Sequence, residues 1–279
     1  MDADLLAFLA EDAGAGDITT AALGDEARVE AAVLAKAPCV VAGLAEASAV
    51  FAHLGAKVEH LARDGEGLTA SREVLRVRGP ASAILTGERL ALNLLMRMSG
   101  IATLTRELQD KVAAVNPACR VAATRKTTPG FRKFEKRAVE LGGGDPHRSG
   151  LSDAFLVKDN HLLLVPDVKE TVRRCRALDP DKLLQVEADR AEQAFAAAEA
   201  GADAVLLDNF SPAQARATYR ELKARFPKVM VEVSGGIKAA NVADYADAAD
   251  RISLGALTHS APALDLGLDV FDVRNNSDL

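Results

Sequence analysis

The chain has 279 residues, 49 % hydrophobic and 27 % charged, with a formal net charge of -6 at pH 7 and a mean hydropathy near zero. That is an ordinary globular composition with room for one large or two unequal domains, and no run approaches twenty apolar residues without a charge, which argues against a membrane-spanning helix. Negative charge, 4 % aromatics and no Trp argue against a nucleic-acid surface.

The start of the chain, with two aspartates in its first four residues, lacks the basic region of a secretory signal. Three widely spaced cysteines, Cys39, Cys119 and Cys175, form neither a metal spacing nor a disulfide framework and read as structural. The expectation is a cytoplasmic protein.

Residues 28–44 and 57–84 carry strand-like segments with irregular alternation, punctuated at Gly43, Gly55, Gly65, Gly67, Gly79 and Pro80. A helical stretch follows from about residue 88 to 115, interrupted near Ser99-Gly100. From there the pattern changes to a regular beat. Short Val/Leu/Ile-rich runs fall at 120–124, 154–158, 183–187, 204–208, 229–233 and 251–255. Ala-rich amphipathic stretches lie between them at 131–141, 167–177, 190–200, 212–225 and 239–247.

Apolar strands alternating with helices indicate parallel βαβ units. Asp189-Arg190 and Ser211-Pro212 read as helix starts and Gly201 as a helix end. The expected fold is α/β: a smaller α/β domain over 1–110 and an incomplete (β/α) barrel of six or seven parallel strands over 111–279. The last residues are free to return to the first domain, and R-N-N-S-D-L is a polar tail.

Each apolar run of the second half ends on polar or small residues: Thr124-Arg125-Lys126, Lys158-Asp159-Asn160-His161, Glu187, Asp208-Asn209, Ser234-Gly235-Gly236 and Gly255. In parallel barrels these ends converge on one mouth, where the chemistry sits. Singly, a strand-end acid is an ordinary helix cap or loop residue; together they suggest a ring of ligands.

The charge pattern points to the same place. Between Arg120 and Arg148 eight Lys or Arg stand against three acids, a cationic island in an acidic chain. Such an island suggests one acidic ligand held locally. The run Gly142-Gly143-Gly144 before Asp145-Pro146-His147-Arg148 allows close backbone approach and then presents two donors.

The motifs T-R-K-T-T-P-G, G-G-G-x-x-H-R, L-x-K-D-N-H, L-L-D-N-F, S-G-G-I and G-A-L-T-H-S, in this order, resemble those of quinolinate phosphoribosyltransferases. E-D-x-x-x-G-D-I-T-T (Glu11 to Thr20) and E-R-x-x-L-N-x-x-x-x-x-S-G-I-A-T (Glu88 to Thr103) resemble them too, so the likeness spans about nine-tenths of the chain. The resemblance implies an N-terminal α/β sandwich with an incomplete barrel. It also implies transfer of phosphoribose from phosphoribosyl pyrophosphate to quinolinate with loss of carbon dioxide, giving nicotinate mononucleotide in NAD biosynthesis.

A homo-oligomer is implied as well, a dimer or a hexamer of dimers, with Arg89 completing the neighbouring site. The bland reading of Arg89 is an ion pair with Glu88. A relative associated with molybdenum transport lacks the T-T-P-G and K-D-N-H elements that are intact here.

A pyridine diacid needs planar, bidentate cations, which Arg125 and Arg148, with His147 and Lys158, can supply; Thr124 joins them as a substrate-binding candidate. Ser234-Gly235-Gly236 and Gly255-Ala256 would offer backbone N–H groups at helix starts to phosphates. By the resemblance, Lys126 and His259 receive the pyrophosphate, while Glu187 and Asp208 hold the ribose hydroxyls and the surroundings of Mg2+. That cation takes one or two carboxylates plus phosphates and water, and no organic cofactor is required.

Lys126, Lys158, Glu187 and Asp208 are therefore the catalytic candidates. His53 and His60 read as surface residues and His161 as structural; Lys133, Lys136 and Arg137 read as including solvated helix positions, while some of them could raise the local potential. Rival readings are a Schiff-base aldolase using Lys158, a non-catalytic pyridine-acid or phosphate binder, and a related phosphoribosyltransferase-fold protein acting on another pyridine acid or linked to molybdenum transport.

Overall fold

The structure is a computed structural model that describes residues 1–23 and 27–274; the polar tail beyond Arg274 lies outside the described residues. Two helices open the chain, α1 (Ala3–Ala13), capped by the Asp2 carboxylate, and α2 (Ile18–Leu23). The first unit continues with β1 (Arg28–Ala35), β2 (Cys39–Val40), α3 (Leu44–His53), β3 (Lys57–His60), β4 (Gly67–Leu68), β5 (Arg72–Pro80) and α4 (Ala81–Ala113), whose residues from Thr105 on count with the second unit.

The second unit carries β6 (Arg120–Ala122), α5 (Arg132–Leu141), β7 (Phe155–Val157), α6 (Asp159–Leu164), α7 (Val168–Leu178), β8 (Leu184–Ala188), α8 (Ala191–Glu199) and β9 (Ala204–Asp208). After these come α9 (Pro212–Arg225), β10 (Met230–Ser234), β11 (Arg251–Ser253) and α10 (Ala256–His259), and β12 (Leu266–Arg274) follows. By compactness the first unit holds residues 1–104, 141–143 and 261–279, and the second holds 105–140 and 144–260.

In the first unit β12, β1, β5 and β3 form an antiparallel sheet in that order, so the C-terminal strand pairs along the whole of β1. Leu44, Ala47 and Phe51 of α3 and Ile84, Ala91, Leu92 and Leu95 of α4 join Val33, Leu75 and Val77 of the sheet in one buried cluster. Each large apolar side chain buried this way contributes about 1.5–3 kcal/mol. The Asp64 carboxylate accepts from the N–H groups of Gly43 and Leu44 at 2.8 and 2.9 Å and so anchors the start of α3.

Helix α4 begins seven residues before its expected start and is unbroken at Ser99-Gly100. The buried Ser99 hydroxyl bonds the backbone of Ala42, donating to its carbonyl at 3.2 Å and accepting from its N–H at 3.0 Å. A Cβ on Gly100 would lie 1.9 Å from the Pro262 carbonyl oxygen. The pair that reads as a helix breaker is instead a close-approach surface.

In the second unit six strands run parallel in the order β6-β11-β10-β9-β8-β7. Among the described residues β6 and β7 do not pair, so the sheet is an unclosed barrel. A single bridge from Asp145 to Ala122 extends its β6 edge. All six apolar runs of the second half are strands, to within two residues at each end.

Four of the five expected helices are α5, α7, α8 and α9; Ser211 caps α9 with Pro212 in its first turn, and Gly201 follows α8 with a φ of 95°. The expected helix at 239–247 is absent. Only a 3-10 turn at Val242–Tyr245 forms there, because Asn241 folds its side chain back on Lys238 and Gly236. Helices α1, α2, α3 and α6 had no clear signal.

Gly100→Ala is expected to lower stability by about 1–3 kcal/mol, the scale of overpacking, read as a shifted denaturation midpoint with α4 still formed by circular dichroism.

Candidate active site

The C-terminal ends of the barrel strands line a cavity of about 630 Å³. Its wall holds Thr124, Arg125 and Lys126 after β6, His147 and Arg148 from the loop after α5, and Lys158 after β7. Glu187 of β8, Asp208 of β9 and Ser234-Gly235-Gly236 at the end of β10 complete the ring of expected residues. Adjacent strands in register bring their ends to one level, which is why residues far apart in sequence meet here.

Gly255, Ala256 and His259 lie outside that wall, next to it. A Cβ on Gly255 would touch the His259 ring at 2.9 Å and the Lys126 side chain at 3.0 Å, and the Thr258 hydroxyl donates to the Lys126 carbonyl at 2.7 Å. Arg89 belongs to the first unit, exposed on α4, and makes no ion pair or hydrogen bond among the described residues, so it forms no ion pair with Glu88.

The cations of the wall are short of partners. Arg125, Lys126 and Arg148 form no ion pair among the described residues, and the buried Nε of Arg125 has no hydrogen-bond acceptor. Among the described residues the Arg148 guanidinium donates only to the Ala154 carbonyl, at 3.2 Å, and burial with the nearby Arg125 charge pushes its pKa down. Two half-buried guanidiniums without a carboxylate form an unfavourable arrangement that an anion relieves. Lys158 differs, since its ammonium is hydrogen-bonded to Glu187.

The loop after β10 supplies a second anion-binding feature. Gly235 and Gly236 have consecutive positive φ angles of 86° and 64°, and a Cβ on Gly235 would lie 2.3 Å from the Asn209 side-chain oxygen. Successive N–H groups in such a turn form a concave nest for an anion. No long helix stands behind it: the 3-10 turn begins only at Val242, and α10 has four residues. The cradle is a nest of loop amides, where the sequence suggested helix starts.

Beneath the cations lies a network that the sequence reading did not identify. Glu232 of β10 is 1 % exposed and lines the cavity floor. Its carboxylate accepts from Arg251 of β11 at 2.6 and 2.8 Å, from Gln185 at 2.9 Å and from the Ser253 hydroxyl, and it lies 3.3 Å from His147 Nε2. Arg251 also donates to Asp145 at 2.9 Å.

His147 Nδ1 accepts from the Arg148 N–H at 2.7 Å, and its Nε2 lies 3.3 Å from the Glu232 carboxylate and 3.2 Å from Arg251 Nη2. Burial alone would raise the Glu232 pKa, but the bond from His147 and the charge of Arg251 outweigh it and hold the carboxyl at about 2. Burial likewise opposes ionisation of Asp145, and Arg251 and the His147 N–H more than offset it. Glu232 and Arg251 are direct register partners. A lone acid and a lone base inside adjacent apolar runs were the signal available in the sequence.

Helix α5 braces the loops from the other side. Arg132 donates to the Thr127 hydroxyl and the Ser149 carbonyl, both at 2.8 Å, and the fully buried Glu135 accepts from the N–H and hydroxyl of Thr128, both at 3.0 Å. Lys136, one of three α5 cations expected to include solvated positions, is 4 % exposed. His53 and His60 are exposed as expected, and His161 is structural: its Nδ1 accepts from the Lys158 N–H at 3.0 Å at the start of α6.

A parallel α/β barrel whose strand ends gather unpaired cations, two carboxylates and an amide nest defines an enzyme for strongly anionic, phosphate-bearing substrates. Comparison with known proteins identifies which one. Residues 17–99 match the quinolinate phosphoribosyl transferase N-terminal domain and residues 101–269 its C-terminal domain.

The chain is 45 % identical over 258 residues to the "Probable nicotinate-nucleotide pyrophosphorylase (carboxylating)" of Archaeoglobus fulgidus, covering 91 % of this chain and 98 % of that one. It is 43 % identical over 244 residues to the human nicotinate-nucleotide pyrophosphorylase (carboxylating), covering 87 % and 82 %. The solved nicotinate-nucleotide pyrophosphorylase of Francisella tularensis superposes with a TM-score of 0.88 at 33 % identity, over 96 % of this chain and 94 % of the other. This chain belongs to the quinolinate phosphoribosyl transferase family.

Since its folded pKa lies below the ordinary 4.5, Glu232 gives stability that is complete above about pH 4.5 and lost as pH falls toward 2. Glu232→Gln is expected to cost about 3–5 kcal/mol, because Arg251 stays buried without its principal carboxylate, and to flatten that acid limb in denaturant titrations. An unchanged limb would assign the acid sensitivity elsewhere.

Proposed function

We propose that this chain is a nicotinate-nucleotide pyrophosphorylase (carboxylating): it transfers phosphoribose from phosphoribosyl pyrophosphate to quinolinate and releases pyrophosphate and carbon dioxide. The carrying observation is the pair Arg125 and Arg148, half-buried and free of carboxylate partners in a cavity that also holds Lys126 and the Gly235-Gly236 nest. Two planar guanidiniums suit two adjacent carboxylates, each taken in a bidentate manner.

In this reading Arg125 and Arg148, with Thr124, His147 and Lys158 around them, fix the diacid so that its ring nitrogen faces ribose C1. Ser234 and the nest take phosphate oxygens together with Gly255 and Ala256. Lys126 and the adjoining His259 take the departing pyrophosphate. Glu187 and Asp208 sit where ribose hydroxyls and the positive charge developing at C1 need carboxylates.

Among the described residues no cluster of three or more His, Cys, Asp or Glu side chains is arranged to hold a metal. Mg2+ enters here as part of the second substrate, its phosphates and water supplying most ligands and Glu187 and Asp208 the remainder. It adds charge neutralisation on the pyrophosphate.

Once the ring nitrogen is bonded to ribose it is cationic, so the adjacent carbon can hold the electron pair left by carbon dioxide and then take a proton. No organic cofactor is needed for that step. The Lys158 amine is engaged by Glu187, which favours a role as cation beside the diacid over a free-amine Schiff base. No described helix is long and apolar enough to cross a membrane. We place the enzyme in the cytoplasm as a homo-oligomer, a dimer or a hexamer of dimers, in which Arg89 reaches a neighbouring subunit's cavity.

Purified protein with Mg2+, phosphoribosyl pyrophosphate and quinolinate is expected to yield nicotinate mononucleotide and carbon dioxide. Lys126→Ala is expected to lower kcat by about 10²–10³-fold, the effect of losing one preorganised donor; intact turnover in that variant would refute the assigned leaving-group role. Mixing inactive Arg89→Ala and Lys126→Ala proteins under subunit exchange is expected to restore activity, because one cavity in a mixed dimer is then complete. Failure of exchanged dimers to regain activity would place Arg89 outside the neighbouring site.

A further inference from the structure

We propose that Lys136 is a positioning residue for diacid recognition: its buried side chain clamps the carbonyls on either side of His147 and so aims Arg148 into the cavity. Lys136 lies on α5 and is 4 % exposed, an unfavourable place for an ammonium unless its protons are used. Its Nζ donates to the Pro146 carbonyl and, at 3.0 Å, to the Arg148 carbonyl. The residue between them, His147, holds a φ of 55°, a left-handed conformation unusual for a side-chain-bearing residue.

That turn is held from two sides. The Asp145 carboxylate accepts the His147 N–H at 2.7 Å, while Lys136 takes the carbonyls before and after. Without the clamp two carbonyls lose a charged donor and the turn loses one of its supports. Arg148 then has only the long bond to Ala154 to fix its guanidinium. The effect falls on the diacid, because the pyrophosphate side is built from Lys126, His259 and the nest on other loops.

The groups facing the ammonium are Arg132 on the same helix, Asp145 and Arg148 on the clamped loop, and Arg125 after β6. Burial first, then the neighbouring cations, push the amine down to about 8, while Asp145 opposes them. A dianion bound by Arg125 and Arg148 favours the charged amine. Binding of the diacid therefore weakens as the free enzyme loses this proton above about pH 8.

The inference rests on the diacid reading of the cavity, and the two can fail separately. Steady-state kinetics of the purified enzyme are compared with those of Lys136→Met, which keeps the length and removes the donors. The expected result is a quinolinate KM raised about tenfold or more, the scale on which groups that orient a ligating residue act, with the phosphoribosyl pyrophosphate KM within about twofold of the parent. Lys136→Gln, which keeps amide donors, should recover part of the loss. The parent's quinolinate KM should rise above about pH 8, and the Met variant should lose that rise.

If Lys136→Met does not fold, the same two constants are read on Lys136→Gln: a selective rise in the quinolinate KM supports the proposal and none overturns it. An unchanged quinolinate KM in folded Lys136→Met, or both KM values shifted equally, overturns it and leaves Lys136 a general stability element. No turnover of quinolinate by the parent would be failure of the functional reading instead. The clamp would then be tested by calorimetric binding of quinolinate to parent and variant, where equal affinity overturns it.

Discussion

Glu232 is a carboxylate with almost no access to water, kept ionised by the cations around it, and the floor of the cavity is organised about it. Arg251, Gln185, Ser253 and His147 all direct a hydrogen toward its oxygens. A buried charge is tolerable only when paired and fully hydrogen-bonded, so Glu232 fixes the side chains of β8, β10, β11 and the His147 loop together. Arg251 extends the network to Asp145, whose other oxygen holds the His147 backbone. The position of the cavity-lining Arg148, one residue further, follows from that chain of contacts.

Above this compensated layer the chemistry is left uncompensated. Arg125, Arg148 and Lys126 carry positive charge into one cavity, and among the described residues none of the three forms an ion pair with a carboxylate. Self-repulsion and partial desolvation make such a cluster costly for the free protein, and an anionic substrate turns that cost into affinity. The division of labour is spatial. Paired charges sit in the barrel interior and on the inner face of α5, unpaired charges line the mouth, and the only wall cation engaged by a carboxylate among the described residues, Lys158, is tied to Glu187.

Much of this could be read from the sequence, because parallel strands buried on both faces leave continuous apolar runs and their polar ends are aligned by the fold. Thr124 to Lys126, Lys158, Glu187, Asp208 and Ser234 to Gly236 could be placed at one mouth for that reason. Glu232 and Arg251 could not, since a single charge inside an apolar run has meaning only once the neighbouring strand and its register are known. The burial of Lys136 could not be read either, because the helix around it is rich in charge and the two carbonyls it meets are presented by the loop that follows.

Local chemistry misled at two further points. Ser99-Gly100 signals a helix break in sequence, yet the missing Cβ serves the approach of Pro262. Residues 239–247 have the composition of a helix, but the Asn241 side chain satisfies backbone groups that a helix would have used. In both cases a contact outside the local window decided the outcome.

The central claim is that the unpaired guanidiniums exist to take two adjacent carboxylates, and the most direct measurement compares kcat/KM for quinolinate with that for nicotinate, which lacks one of them. The account predicts turnover of quinolinate and a loss of about 10³-fold or more with nicotinate, since a site built for charged hydrogen bonds discriminates strongly against a substrate that leaves them unmade. Equal turnover of the two acids would contradict it.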